Sequence, residues 1–191
     1  MTKTPMKQPN AAAKIFIAAI LLGFAAMLVT SGVYRTNHPS LTNFVQSRNA
    51  TSEQSKPDNS AHIADLMGKL KKDANNVKLI EEIARHFMED GEYSQARKFI
   101  QRGIAAQPSN AHLFYMLGMA NFKLESYTNA AKAFETSLSI ADDPSARYNL
   151  GILLTYYLDK PAEGKIQFQK IVESAAEDHL KIAAQKELEK K

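Results

Sequence analysis

Beyond residue 60 the sequence repeats itself with a period of about 34 residues, and no other feature constrains the fold as strongly. Tyr93, Ala96, Ile100 and Gly103 return as Tyr127, Ala130, Phe134 and Ser137. Ile80, Ile83, Ala84 and Phe87 return as Phe114, Leu117, Gly118 and Asn121. A third copy runs Arg147, Leu150, Gly151 and Leu154, followed by Gly164, Phe168 and Ile171. The steps of three and four within each copy are helical. Turn residues divide each copy in two, at Asp90-Gly91-Glu92 and at Glu125-Ser126. A pair of helices cannot bury its apolar face alone, so successive copies must stack on one shared core. Ala84, Gly118 and Gly151 are small where one helix approaches its partner, and Ala96, Ala130 and Gly164 do the same on the second helix. Phe87, Ile100 and Phe134 fill the space between, while Pro108 and Pro144 stop the second helix of a unit.

These positions follow the tetratricopeptide spacing: a large residue, Leu-Gly, an aromatic, then a small residue and another aromatic. The chain resembles a tetratricopeptide-repeat protein over residues 77–178. That resemblance implies an all-α solenoid of about three units, 77–110, 111–143 and 144–178. The third unit departs from the pattern, with Arg147 at the large apolar position and one extra residue within Asp159–Glu163. A lead-in helix is expected over 61–73, because Ile63, Leu66, Met67 and Leu70 share one face. Residues 176–190, polar with Leu180, Ile182, Ala183 and Leu188, read as a C-terminal capping helix.

The charge is unevenly placed. The chain carries 24 Lys and Arg against 20 Asp and Glu, a net +4. Residues 60–191 are balanced, so the repeats hold no net field for nucleic acid. The excess gathers in a basic tail, residues 1–14, at Lys3, Lys7 and Lys14. Residues 15–33 (IFIAAILLGFAAMLVTSGV) follow without a charge. A helix of that length spans roughly 28 Å, close to a ~30 Å hydrocarbon core. A transmembrane anchor is therefore expected; a cleaved signal peptide has a shorter apolar run, usually ~7–15 residues. The lysines place the N-terminus in the cytoplasm and the repeats in the periplasm or another extracytoplasmic space. Residues 34–60, rich in Asn, Ser, Thr and Gln, read as a flexible linker.

The composition argues against catalysis. With no cysteine there is no thiolate zinc site, iron–sulfur cluster, disulfide or thiol nucleophile. The glycines form no phosphate loop, and no Ser-His-Asp arrangement suggests an activated nucleophile. His38, His62, His86, His112 and His179 show no metal-ligand spacing. His86 and Glu89, at i,i+3 on one helical face, resemble only half of a carboxylate–histidine site, and the second half is missing. No enzyme, cofactor or metal is expected.

In the tetratricopeptide family the first helix of each unit lines the concave face. Counting off the Leu-Gly position, the resemblance places Glu81, Arg85, Met88 and Glu89 there in the first unit. It places Tyr115, Met119, Phe122 and Lys123 there in the second, and Tyr148, Ile152, Thr155 and Tyr156 in the third. Such a surface suits a peptide or amphipathic helix with apolar anchors, so a protein partner is expected, with no nucleic acid and no small-molecule substrate. The competing expectation is that these residues pack against the terminal helix or linker, leaving a self-associating or spacer subunit. Tetratricopeptide clamps for EEVD-type carboxylates use a fixed set of Lys, Arg and Asn. Glu81, Arg85, Tyr115 and Met119 stand at those places, which argues against that clamp.

The lead-in IADLMGKLKKDANNVKLI, behind an N-terminal anchor, is similar to that of bacterial cytochrome c biogenesis tetratricopeptide factors. Ile63, Leu66, Leu70, Asn75, Asn76 and Ile80 carry the similarity; Ala74 replaces the usual proline and Ile80 the usual tryptophan. Such factors present apocytochrome c for haem attachment by holding its C-terminal helix.

Overall fold

The computed structural model describes residues 59–190 apart from 175, and these form eight helices. They are α1 (Asn59–Lys72), α2 (Val77–Glu89), α3 (Tyr93–Ala106), α4 (Ala111–Lys123), α5 (Tyr127–Ile140), α6 (Pro144–Tyr156), α7 (Pro161–Glu173) and α8 (Asp178–Glu189). The basic tail, the apolar run 15–33 and all but the last two residues of the 34–60 segment lie outside the described residues. Among the described residues no helix is long and apolar enough to cross a membrane.

The first helix of each unit starts at a side chain that satisfies otherwise unpaired backbone N–H groups. Asn76 Oδ1 accepts from the Leu79 N–H at 3.2 Å, opening α2. Asn110 Oδ1 accepts from His112 at 3.0 Å and Leu113 at 3.3 Å, opening α4. Asp143 Oδ1 accepts from Ser145 at 2.7 Å, and Pro144 begins α6 with its φ already helical. The first helices of the three units thus share one capping device.

Each unit is a hairpin, α2–α3, α4–α5 and α6–α7, stacked on the next through its second helix. Helix α1 packs on α2, whereas α8 packs on α7 and reaches α6. A Cβ added at Gly118 would lie 2.6 Å from the Phe134 ring, and one at Gly151 would lie 2.6 Å from Phe168. Both rings are fully buried and have nowhere to move. The Leu-Gly position therefore needs its glycine in the second and third units; the first accommodates Ala84 opposite the slimmer Ile100.

Arg147 sits at the large apolar position of the third unit without disrupting it. Its guanidinium is paired with Asp142 and donates to Gln167 Oε1 at 3.1 Å, so the aliphatic stem packs while the head is held. The extra residue is taken up in the turn, just ahead of the Asp159–Glu163 stretch rather than within it. Glu92 N–H donates to Phe87 O at 2.8 Å and Ser126 N–H to Asn121 O at 2.9 Å, five residues back. The third unit closes the same bond six residues back, from Lys160 N–H to Leu154 O at 2.8 Å.

Candidate functional site

The first helices of units one and two enclose a groove of about 560 Å³. Helix α2 contributes Lys78, Glu81, Glu82, Arg85, Met88 and Glu89, at steps of three and four that make one helical stripe. Helix α4 contributes His112, Tyr115, Met116, Met119 and Lys123, and Tyr93 at the start of α3 completes the lining. The floor is apolar: Tyr115, Met116 and Met119 are buried. The walls are charged, and most of those charges are held. Arg85 Nη1 donates to Glu89 Oε1 at 2.7 Å, and Asn110 Nδ2 donates to Glu81 Oε1 at 2.9 Å. Lys78 and Lys123 have no ion-pair partner among the described residues.

Tyr115 is fixed in place from both sides. Its ring packs against Phe134 at 5.7 Å and against His112 at 6.2 Å, and Asn149 Nδ2 donates to its Oη at 3.3 Å. Burial, reinforced by the nearby Asp143 carboxylate, pushes its phenol up to about 12, so it stays neutral. Its buried partner Asn149 belongs to α6, and the hydrogen bond ties the groove floor to the third unit. The groove offers anchoring surface and charge, with no pairing of nucleophile and base among its lining residues.

Of the residues singled out by sequence, Glu81, Arg85, Met88, Glu89, Tyr115, Met119 and Lys123 come together in this groove. Phe122, Tyr148, Ile152 and Tyr156 do not line it. Phe122 packs edge-on against Tyr157 at 5.1 Å and beside Tyr127 at 5.7 Å, in the turn regions of units two and three. Tyr148 packs on Phe168, and Ile152 is buried in the same cluster as Leu180 and Ala184 of α8. Tyr156 Oη donates to Glu187 Oε2 at 2.6 Å and accepts from Lys190 Nζ at 3.1 Å. The C-terminal helix thus covers the third unit's face. Lys78, Glu82, Tyr93, His112 and Met116 line the groove without having been singled out. Lys78 and His112 stand one repeat period apart, so extending the repeat one turn toward the helix starts would have found them both.

No protein-family model and no curated protein matches the sequence. Solved structures do match by shape. A crystal structure of MamA aligns with TM-score 0.59 at 21% identity, over 66% of this chain and 72% of that one. MamA residues 41–end from Desulfovibrio magneticus RS-1 align with TM-score 0.57 at 19% identity, over 61% of this chain and 66% of that one. The second TPR domain of human RPAP3, solved in complex with the HSP70 peptide SGPTIEEVD, aligns with TM-score 0.53 at 25% identity, over 59% of this chain and 93% of that one. The described helices form a tetratricopeptide-type solenoid, an architecture that supports a protein-interaction scaffold.

Proposed function

We propose that this chain is a membrane-anchored scaffold whose repeat domain holds a segment of a partner protein in the groove between α2 and α4. The groove carries the reading: a buried apolar floor of Tyr115, Met116 and Met119, with Lys78 in the first turn of α2 and Lys123 at the end of α4. An apolar anchor of the partner, once fully buried, contributes on the order of 1.5–3 kcal/mol. Acidic residues beside that anchor suit the two uncommitted lysines. The RPAP3 domains were solved with the peptides SGPTIEEVD and SRMEEVD, which also set an apolar side chain beside acidic ones. Because α8 covers the third unit, capture is confined to the first two. The anchor rests on the apolar run 15–33, and the lysines ahead of it support an extracytoplasmic repeat domain. A role in cytochrome c biogenesis is the narrower form of this reading, and the lead-in sequence is its sole support.

The test is photocrosslinking from position 85 of the full chain in its native membrane. One partner protein is expected, and it should disappear when Lys78→Glu, Met88→Ser and Lys123→Glu are combined, with helicity unchanged by circular dichroism. A crosslink that survives the triple variant overturns the groove model. Tyr115, Phe122 and Tyr148 are unsuitable targets, since all three are core residues.

A further inference from the structure

Folding brings together two histidines that stand on different helices and are remote in sequence. His62 sits on α1, whereas Glu82 and His86 stand one helical turn apart on α2. The His62 and His86 rings meet edge to face with centroids 4.8 Å apart, and His62 Nε2 is 3.5 Å from Glu82 Oε1. One ligand atom from each of the three lies within 4.8 Å of the others. His86 is only 8% exposed, and its Nδ1 makes no hydrogen bond, although Glu89 Oε2 is 3.3 Å away. A buried imidazole nitrogen without a hydrogen bond is a free-energy cost that packing alone does not explain.

We propose that His62, Glu82 and His86 form a binding site for a divalent transition metal, with Zn²⁺ as the best match, clamping α1 onto α2. Two imidazoles and one carboxylate make a borderline donor set that suits Zn²⁺ and its neighbours, whereas Mg²⁺ and Ca²⁺ require oxygen ligands. Bonds of ~2.1 Å at tetrahedral angles place ligand atoms roughly 3.4 Å apart, so the three groups need to close by about an ångström. They have the freedom to do so, because the side chains of His62 and Glu82 are about half exposed. A water completes the coordination. Arg85 stands against the site: its Nη2 is 3.3 Å from His86 Nε2, while its Nη1 pairs with Glu89. That side chain is half exposed and swings outward when a cation enters. Glu82 and Arg85 also wall the groove, so metal occupancy alters the charge a partner meets there.

The clamp acts on a particular helix. Among the described elements α1 alone precedes the repeats, and it joins the solenoid through α2. A metal bridging the two fixes the first helix of the array in place.

The test is Zn²⁺ titration of tag-free full-length protein against a chromophoric chelator, together with amide exchange over residues 59–72. One Zn²⁺ per chain is expected, with slower exchange in α1 on binding, and excess Mg²⁺ should not compete. His62→Gln and Glu82→Gln, both at half-exposed positions that leave the core intact, should each weaken binding at least tenfold. His179→Gln, far along the solenoid, should not. Absence of saturable binding at micromolar Zn²⁺, or equal binding by His62→Gln, overturns the proposal.

Discussion

Tyr115 and Tyr148 are 4% and 7% exposed, and both phenols are pushed up from 10.0 to about 12, in each case chiefly by burial. Asp143 adds to the effect at Tyr115 and Glu187 adds to it at Tyr148. Below pH 10 both groups are neutral in folded and unfolded chains alike, so they impose no pH dependence. Between pH 10 and about 12 the unfolded chain releases protons that the folded chain retains, and stability falls by roughly 2–3 kcal/mol for each tyrosine. Chemical denaturation of the full chain at pH 9 and pH 11.5 measures this. The drop should be visibly smaller in Tyr148→Phe, which keeps the ring and removes the titrating group. An identical drop in the variant would assign the alkaline sensitivity elsewhere. The same tyrosines show how far single positions could be read from sequence. Periodicity assigns a residue to a face, and Tyr115 and Tyr148 do stand at matching positions of α4 and α6. It carries no information on what covers that face, and Tyr148 is covered by α8 while Tyr115 floors an open groove. The cluster of His62, Glu82 and His86 was illegible for a related reason: Glu82 and His86 stand one helical turn apart, but only the packing of α1 on α2 brings the sequence-remote His62 to them.

The turns between paired helices keep one backbone feature in every unit, even where the third turn is a residue longer. Positive φ recurs once in every unit, at Gly91 (φ 83), Glu125 (φ 57) and Asp159 (φ 54). The extra residue of the third unit enters ahead of Asp159, so the left-handed residue still stands two places before the next helix, as Gly91 and Glu125 do. Only the first of these positions holds glycine, the residue for which this conformation is unstrained. A Cβ at position 91 would touch nothing within 4 Å, so Gly91→Ala isolates the backbone cost, about 1 kcal/mol. Glu125→Gly should go the other way by up to ~1 kcal/mol, as relief of strain outweighs the entropy lost to a more flexible unfolded chain. Urea denaturation of the two variants measures both, and a loss of stability in Glu125→Gly would contradict the strain argument. At this scale the sequence was informative: paired helices and turns are local features, written in Asp90-Gly91-Glu92, Glu125-Ser126 and the small residues of each helix, whereas the caps at Asn76, Asn110 and Asp143 came only with the structure. The cover supplied by α8 is not local, because residues 178–189 are mostly polar and reveal their buried face only through Leu180 and Ala184.

Stacked hairpins make a solenoid in which each helix touches only its near neighbours, so a perturbation at one end should fade before it reaches the other. The groove lies in units one and two, and its floor is tied to the third unit by the hydrogen bond from Asn149 to Tyr115 and by a shared buried cluster. At the far end α8 takes the place that the first helix of a further unit would occupy, packing on α7 and covering Tyr148, Ile152 and Tyr156. Ending the chain after Glu173 removes Leu180 and Ala184 from that cluster, along with the Tyr156–Glu187 hydrogen bond. Lost burial of one large apolar side chain alone is worth about 1.5–3 kcal/mol, enough to loosen a terminal unit but not one two hairpins away. Amide exchange in the truncated chain should therefore accelerate in α6 and α7 by tenfold or more and stay within a few-fold of the full chain in α2, α3 and α4. Capture of the partner segment, which needs only the first two units, should persist. Acceleration spread evenly from α2 to α7 would mean that the array unfolds as one cooperative body. The covering helix would then support the groove directly rather than merely close the end of the stack.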